Sequence, residues 1–110
     1  MKILRGQKGE AKAVKYLKKK GYTICERNFR SRFGEIDIIA EKDGVTAFVE
    51  VKTRTDNSYG TGLDAITHEK MRRLRKTAEL YIVKQEQEIP CRFDVISIDK
   101  DEITHIENAF

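Results

Sequence analysis

Two apolar-rich runs, Glu35–Glu41 and Val45–Lys52, flank the dipeptide Asp43-Gly44. That dipeptide is the strongest short-range signal for a two-residue hairpin turn. A turn there sets the register of both strands. Ala40 falls opposite Ala47, Ile38 opposite Val49 and Ile36 opposite Val51, giving one wholly apolar face. A slip of one residue would rotate that set out of the core, so the register is strongly specified. The other face then sets Asp37 opposite Glu50, and Glu35 opposite Lys52.

Directly opposed strand residues have Cβ atoms about 4.5–5.5 Å apart. Two carboxylates that close repel each other. Either both stand in solvent, or a hard divalent cation such as Mg²⁺ or Mn²⁺ lies between them. Glu50 and Lys52 share the face that carries Asp37, because strand side chains alternate. An ammonium beside such a site can act on a water or neutralise charge on a phosphate. The E-x-K spacing alone is common in strands.

Residues 3–20 read as a helix with Ile3, Gly6, Glu10, Ala13, Val14 and Leu17 on one stripe, and Lys8, Lys12, Lys15 and Lys19 opposite. Gly21 ends it. Glu10 sits in the apolar stripe, where an ionised carboxylate needs a cationic partner or a metal. Tyr22–Arg30 reads as a strand with Thr23, Cys25, Arg27 and Phe29 on one face, and 53–62 as a polar loop. Residues 63–84 read as a second helix whose stripe is Leu63, Ile66, Thr67, Leu74, Ala78 and Tyr81. Lys70 falls in that stripe and calls for an acidic partner, or reaches a phosphate. Cys91–Ile98 and Ile103–Ile106 are short strands. The expected architecture is one α/β domain over 1–110, with helices on a mixed central sheet.

Charge is segregated along the chain. Residues 1–32 hold eleven Lys and Arg against Glu10 and Glu26, and 70–76 hold Lys70, Arg72, Arg73, Arg75 and Lys76 with no acid. Two basic blocks in an otherwise acidic chain fit a polyanion partner, or equally a solvated lysine-rich helix face. No apolar run reaches the length of a membrane span, and the first residues lack the apolar core of a signal peptide. Cys25 and Cys91 have no C-x-x-C partner and read as reduced, buried strand thiols, which points to the cytoplasm.

Several blocks carry a family resemblance: Gly9-Glu10, Asn28–Arg32, Gly34–Ala40, Phe48–Arg54, Arg92–Val95 and His105–Phe110. Together they resemble the small bacterial YraN family, which is similar to archaeal Holliday-junction resolvases and to the PD-(D/E)xK restriction-endonuclease-like nucleases. The resemblance implies a restriction-endonuclease-like αβββαβ core with an extra C-terminal strand. It implies that Glu10, Asp37, Glu50 and Lys52 form the catalytic set. Glu10, Asp37, Glu50 and the backbone carbonyl of Val51 would hold Mg²⁺ or Mn²⁺. Ile36 stands where the superfamily pattern has proline.

Three functions remain open at this point. The first is a metal-dependent endonuclease acting on DNA, branched or otherwise structured. The second is a nuclease-like fold that binds nucleic acid without cutting it. The third is an interaction protein whose charges form structural ion pairs. Arg27, Arg30, Arg32 and Arg54 are candidate phosphate contacts, as are Lys70, Arg72, Arg73, Arg75 and Lys76. Tyr59 is a candidate stacking residue or a loop anchor. His68 and His105 read as structural, and Asp94 as a partner of neighbouring cations rather than a site residue. A homodimer is one expected assembly, since junction resolvases cut two strands as dimers.

Overall fold

A computed structural model of the chain describes residues 5–54 and 66–110, with side chains for 9–53 and 66–110. The elements run α1 (Arg5–Lys19), β1 (Thr23–Ser31), β2 (Gly34–Lys42), β3 (Val45–Arg54), α2 (His68–Lys84), β4 (Cys91–Asp99) and β5 (Glu102–Ile106). The five strands form one sheet in sequential order. β3 and β4 are parallel and joined through α2, while the other neighbours are antiparallel. This is the expected α/β core with its mixed sheet and additional C-terminal strand.

The hairpin forms as its turn dictates. Asp43 and Gly44 both take positive φ, 53° and 80°, as a type I′ turn needs. Lys42 pairs with Val45, Ala40 with Ala47 and Ile38 with Val49. At the end of α1 the Gly21 φ of 95° lets Tyr22 N–H reach Leu17 O at 3.0 Å and Gly21 N–H reach Lys18 O at 3.1 Å. That is a Schellman stop.

Each sheet face carries one helix. Ala13 and Leu17 of α1 pack on Ile38, Ala40, Val49 and Ile96. Leu74, Ala78 and Tyr81 of α2 pack on Ile36, Ile39 and Phe48. α1 comes so close to β3 at Gly9 that a Cβ there would collide with Thr53 Oγ1.

The structure departs from expectation at three places. β1 does not alternate cleanly, because its register shifts between Ile24 and Glu26 and Asn28 takes a φ of 53°. A bulge adds an unpaired residue and re-aims the side chains beyond it, so Thr23, Cys25, Arg27 and Phe29 share no continuous face. Cys25 and Cys91 are free but exposed rather than buried, since β1 is an edge strand and Cys91 opens β4. α2 starts later than 63: Thr67 is its N-cap, accepting Lys70 N–H at 3.1 Å, so a cap signal lay inside the supposed stripe. Ile3 and Leu63 lie outside the described residues. Among the described residues no helix is long and apolar enough to cross a membrane.

Candidate functional site

The hairpin ladder ends at Ile38 and Val49. Beyond that pair β2 stays with β1 as far as Ser31–Gly34, and β3 stays with β4 as far as Arg54–Asp99. The two central strands therefore fork. Asp37 and Glu50 are not ladder partners as the extrapolated register would have them. Instead Asp37 Oδ2 accepts the Val51 N–H at 2.8 Å, taking the place of a backbone carbonyl.

Glu10 from α1 meets Glu35 and Asp37 from β2 in this fork. The three carboxylates offer oxygens within 4.8 Å of one another, all partly buried. Glu35 was not among the expected site residues. Its signal was strand periodicity, which sets it on the face of Asp37 two residues away; the extrapolated register placed it opposite Lys52 instead. With its amide nitrogen turned toward the carboxylates, Asn28 donates to Glu35 Oε1 at 2.7 Å and to both Glu10 oxygens at 3.0 and 3.2 Å. The left-handed backbone at Asn28 is one that asparagine tolerates.

Burial is the largest force on the Asp37 carboxyl. With repulsion from Glu50, Glu10 and Glu35 it outweighs the Val51 hydrogen bond and pushes the group up to about 7. All-oxygen donors so close together suit a hard divalent cation, which would relieve the same repulsion. The residues present therefore fit Mg²⁺ or Mn²⁺.

Glu50 lies on the α2 side of the fork, only 6% exposed. Lys70 Nζ stands 2.6 Å from its Oε1, and Lys52 Nζ 3.5 Å from the same oxygen. Lys70 has thus found the acidic partner its place on α2 demanded. Burial and the neighbouring Lys70 hold Lys52 below the ordinary lysine range. Burial also works against charge on Lys70, yet the bond to Glu50 prevails and raises it. The fork thus gathers three crowded acids, and Glu50, which lines the same cavity as Glu35 and Asp37, carries the two lysines.

The region that matches a family model runs from residue 9 to 98 and is described as "Uncharacterised protein family UPF0102". The chain belongs to this family. A UPF0102 protein of Persephonella marina is 50% identical over 97% of this chain and 93% of its own length. One from Geobacter metallireducens is 50% identical over 96% and 90%, and one from Shewanella frigidimarina 43% identical over 96% and 97%. The UPF0102 region opens at Gly9, where α1 touches β3, and holds the whole fork.

A cavity of about 550 Å³ opens at the fork, lined by Glu35, Asp37, Glu50, Lys70 and Arg73 among others. A second groove of about 440 Å³ shares Gly34, Glu69 and Arg73 with it and adds Arg32, Arg72 and Lys76. Of the expected phosphate contacts, Arg32, Arg72, Arg73 and Lys76 line this groove. Arg72 and Arg73 meet Glu69 at 2.7 and 3.2 Å. Arg30 meets Glu35 at 3.3 Å. The side chain of Arg54 and all of Tyr59 lie outside the described residues. Asp94 is fully buried away from the acids, held by Arg92 at 3.0 Å, His105 at 2.8 Å and the Asn108 N–H at 3.0 Å.

Proposed function

We propose that this UPF0102 member is a metal-dependent endonuclease that hydrolyses phosphodiester bonds in DNA, branched or otherwise structured. The observation that carries the reading is the fork, where Glu10, Glu35 and Asp37 crowd within 4.8 Å and Asp37 shares a cavity with Glu50, the carboxylate that Lys52 and Lys70 meet. Glu10 and Asp37 would hold Mg²⁺ or Mn²⁺, and Glu35 would share it. Glu50 and the Val51 carbonyl complete the set that the family resemblance implies. The cation would polarise a phosphoryl oxygen and lower the pKa of a water. Lys52, held below the ordinary lysine range, would take a proton from the attacking water as the neutral amine, or as the ammonium would meet charge on the scissile phosphate. Lys70 holds Glu50 in place. Arg32, Arg72 and Arg73 receive the flanking phosphates, a sequence-independent contact that weakens with salt. Free cysteines and the polyanion partner fit the cytoplasm as the compartment.

The test is cleavage of junction and flap DNA with Mn²⁺, using Asp37→Asn and Lys52→Ala as controls. Cleavage lost in both supports the site, and cleavage that survives both sinks it. A second reading, a binding module that does not cut, draws support from the ion pairs that Lys70 and Lys52 make with Glu50. Titration calorimetry separates the two: DNA binding without Mn²⁺ binding favours the module.

A further inference from the structure

The two large apolar side chains most exposed among the described residues, Leu80 at 41% and Val83 at 73%, lie together on α2. With Phe33 they line a shallow apolar hollow of about 330 Å³ that also includes Lys76 and Glu79. The hollow shares Phe33 and Lys76 with the basic groove, which in turn shares Gly34, Glu69 and Arg73 with the fork cavity. One continuous path thus runs from crowded acids, past cations, to an apolar shelf headed by an aromatic ring.

The ring is rigidly mounted. Arg32-Phe33 is the tight turn between β1 and β2, closed by the Ser31–Gly34 pair. Ser31 Oγ accepts the Phe33 N–H at 3.0 Å and lies 2.8 Å from Thr77 Oγ1, and Thr77 is fully buried in α2. Thr77 Oγ1 also donates to Arg73 O at 3.0 Å and Ser31 Oγ to Gly34 O at 3.4 Å, which ties the turn to α2. Arg32 and Lys76 stand over the Phe33 ring, 4.9 and 5.0 Å from its centroid. The turn therefore presents one half-buried ring and two cations on a fixed support.

We propose that this shelf receives an unpaired nucleotide of the DNA strand that enters the fork. Its phosphates draw Arg32 and Lys76 off the Phe33 ring and run along them and Arg73, and its base takes their place on the ring against Leu80 and Val83. The occupant is argued from charge: the groove leading to the shelf is cationic, so a polyanion carries the apolar group to it. Bases meet both needs, because each has a π-face and is tied to a phosphate. The Glu69 pairs do not close the groove, since exposed ion pairs hold by only ~0.2–1 kcal/mol and each guanidinium has spare donors. The inference rests on the nuclease reading for the direction of the strand, and names the substrate class as DNA with a single-stranded extension beside the cleavage point.

The experiment measures binding of the full chain, in EDTA to silence cleavage, to a blunt duplex and to the same duplex carrying a single-stranded tail. The tail contains 2-aminopurine, whose fluorescence falls on stacking. Phe33→Ala should weaken tailed DNA about tenfold or more and abolish the quench, and leave the blunt duplex unchanged. Phe33→Tyr should restore both. Equal effects on the two DNAs, no effect on either, or no binding by the wild type would overturn the proposal. So would a wild-type dimer that Val83→Glu converts to a monomer with its tail affinity intact, since the shelf would then face a second copy. Cleavage without the quench removes only the shelf. The quench without cleavage leaves the shelf and removes the nuclease reading.

Discussion

The Val51 N–H donates to Asp37 Oδ2 at 2.8 Å at the point where β2 and β3 part. One hydrogen bond thus marks the end of the ladder and holds the most perturbed acid of the fork. The carboxylate bridges the opening strands, and among the described residues its second oxygen has no hydrogen-bond partner.

The crowding at Asp37 predicts a pH dependence of the metal-free protein. A carboxyl raised from 3.8 to about 7 binds more protons folded than unfolded across that window. Stability contributed at this site therefore falls as pH rises from about 4 to about 7 and stays low above it. Asn keeps an oxygen for the Val51 N–H and carries no charge. Asp37→Asn should be more stable than wild type by about 1–3 kcal/mol at pH 8 and nearly equal at pH 4. Urea unfolding in EDTA at both pH values checks this; a destabilised variant at pH 8 would contradict it.

Divalent cations should reverse that order. Mn²⁺ at about a hundred times its dissociation constant stabilises a one-site protein by ~2.7 kcal/mol. Wild type should gain in melting temperature on adding Mn²⁺, and lose the gain with EDTA. Asp37→Asn and Glu35→Gln should gain much less. Equal gains in all three would remove the fork as the metal site.

Gly9 should matter through its neighbour. A methyl group there meets Thr53 Oγ1, so α1 must shift or Thr53 must turn. Because Glu10 follows directly, Gly9→Ala should weaken Mn²⁺ binding several-fold in calorimetry. Adding Thr53→Ala removes the obstructing oxygen and should recover most of it. Failure of that rescue would mean that the glycine serves something other than this close approach.

The Glu50 ion pairs invite a double-mutant cycle. Lys70→Met leaves a buried carboxylate with Lys52 alone, at 3.5 Å, and should destabilise the fold by about 1–3 kcal/mol. Glu50→Gln in the same chain should return much of the loss. Lys52 loses the neighbour that depresses it, so its ε-proton should titrate higher, a shift that NMR of lysine side chains reads directly.

Asp94 should behave as a structural acid. Burial works against its charge, but bonds from His105, Asn108 and Arg92 outweigh that and hold it below the usual carboxylate range. Its stabilisation is present at neutral pH and is lost as pH falls through the lowered value. Asp94→Ala strands a half-buried arginine and a histidine and should cost about 3 kcal/mol, with Mn²⁺ binding kept in the folded fraction. Chemical unfolding combined with calorimetry tests both halves.

Local rules made much of this molecule legible. Asp43-Gly44 and the apolar alternation of 38–49 specify the hairpin because turn twist and burial demand the same register, whereas Ile36, expected opposite Val51 on that face, packs under α2 while Val51 packs under α1. Glu10 and Lys70 stood out as charges on apolar stripes, and the structure gives Lys70 a carboxylate and brings Glu10 to two. Periodicity could not show where the ladder stops. Extending it past Ile38 set Asp37 against Glu50 and Glu35 against Lys52, and so hid Glu35 among the acids. It also missed the bulge at β1, because a single extra residue leaves no mark in composition.

The chain by itself determined the α/β order, the hairpin register and which charges were out of place, since these depend on neighbours a few residues apart. Only the tertiary structure decided that β2 leaves with β1 while β3 leaves with β4, because strand pairing between distant segments is a competition of packed surfaces. That fork brings Glu35 and Asn28 to Glu10 and Asp37, and hands Glu50 to the lysines.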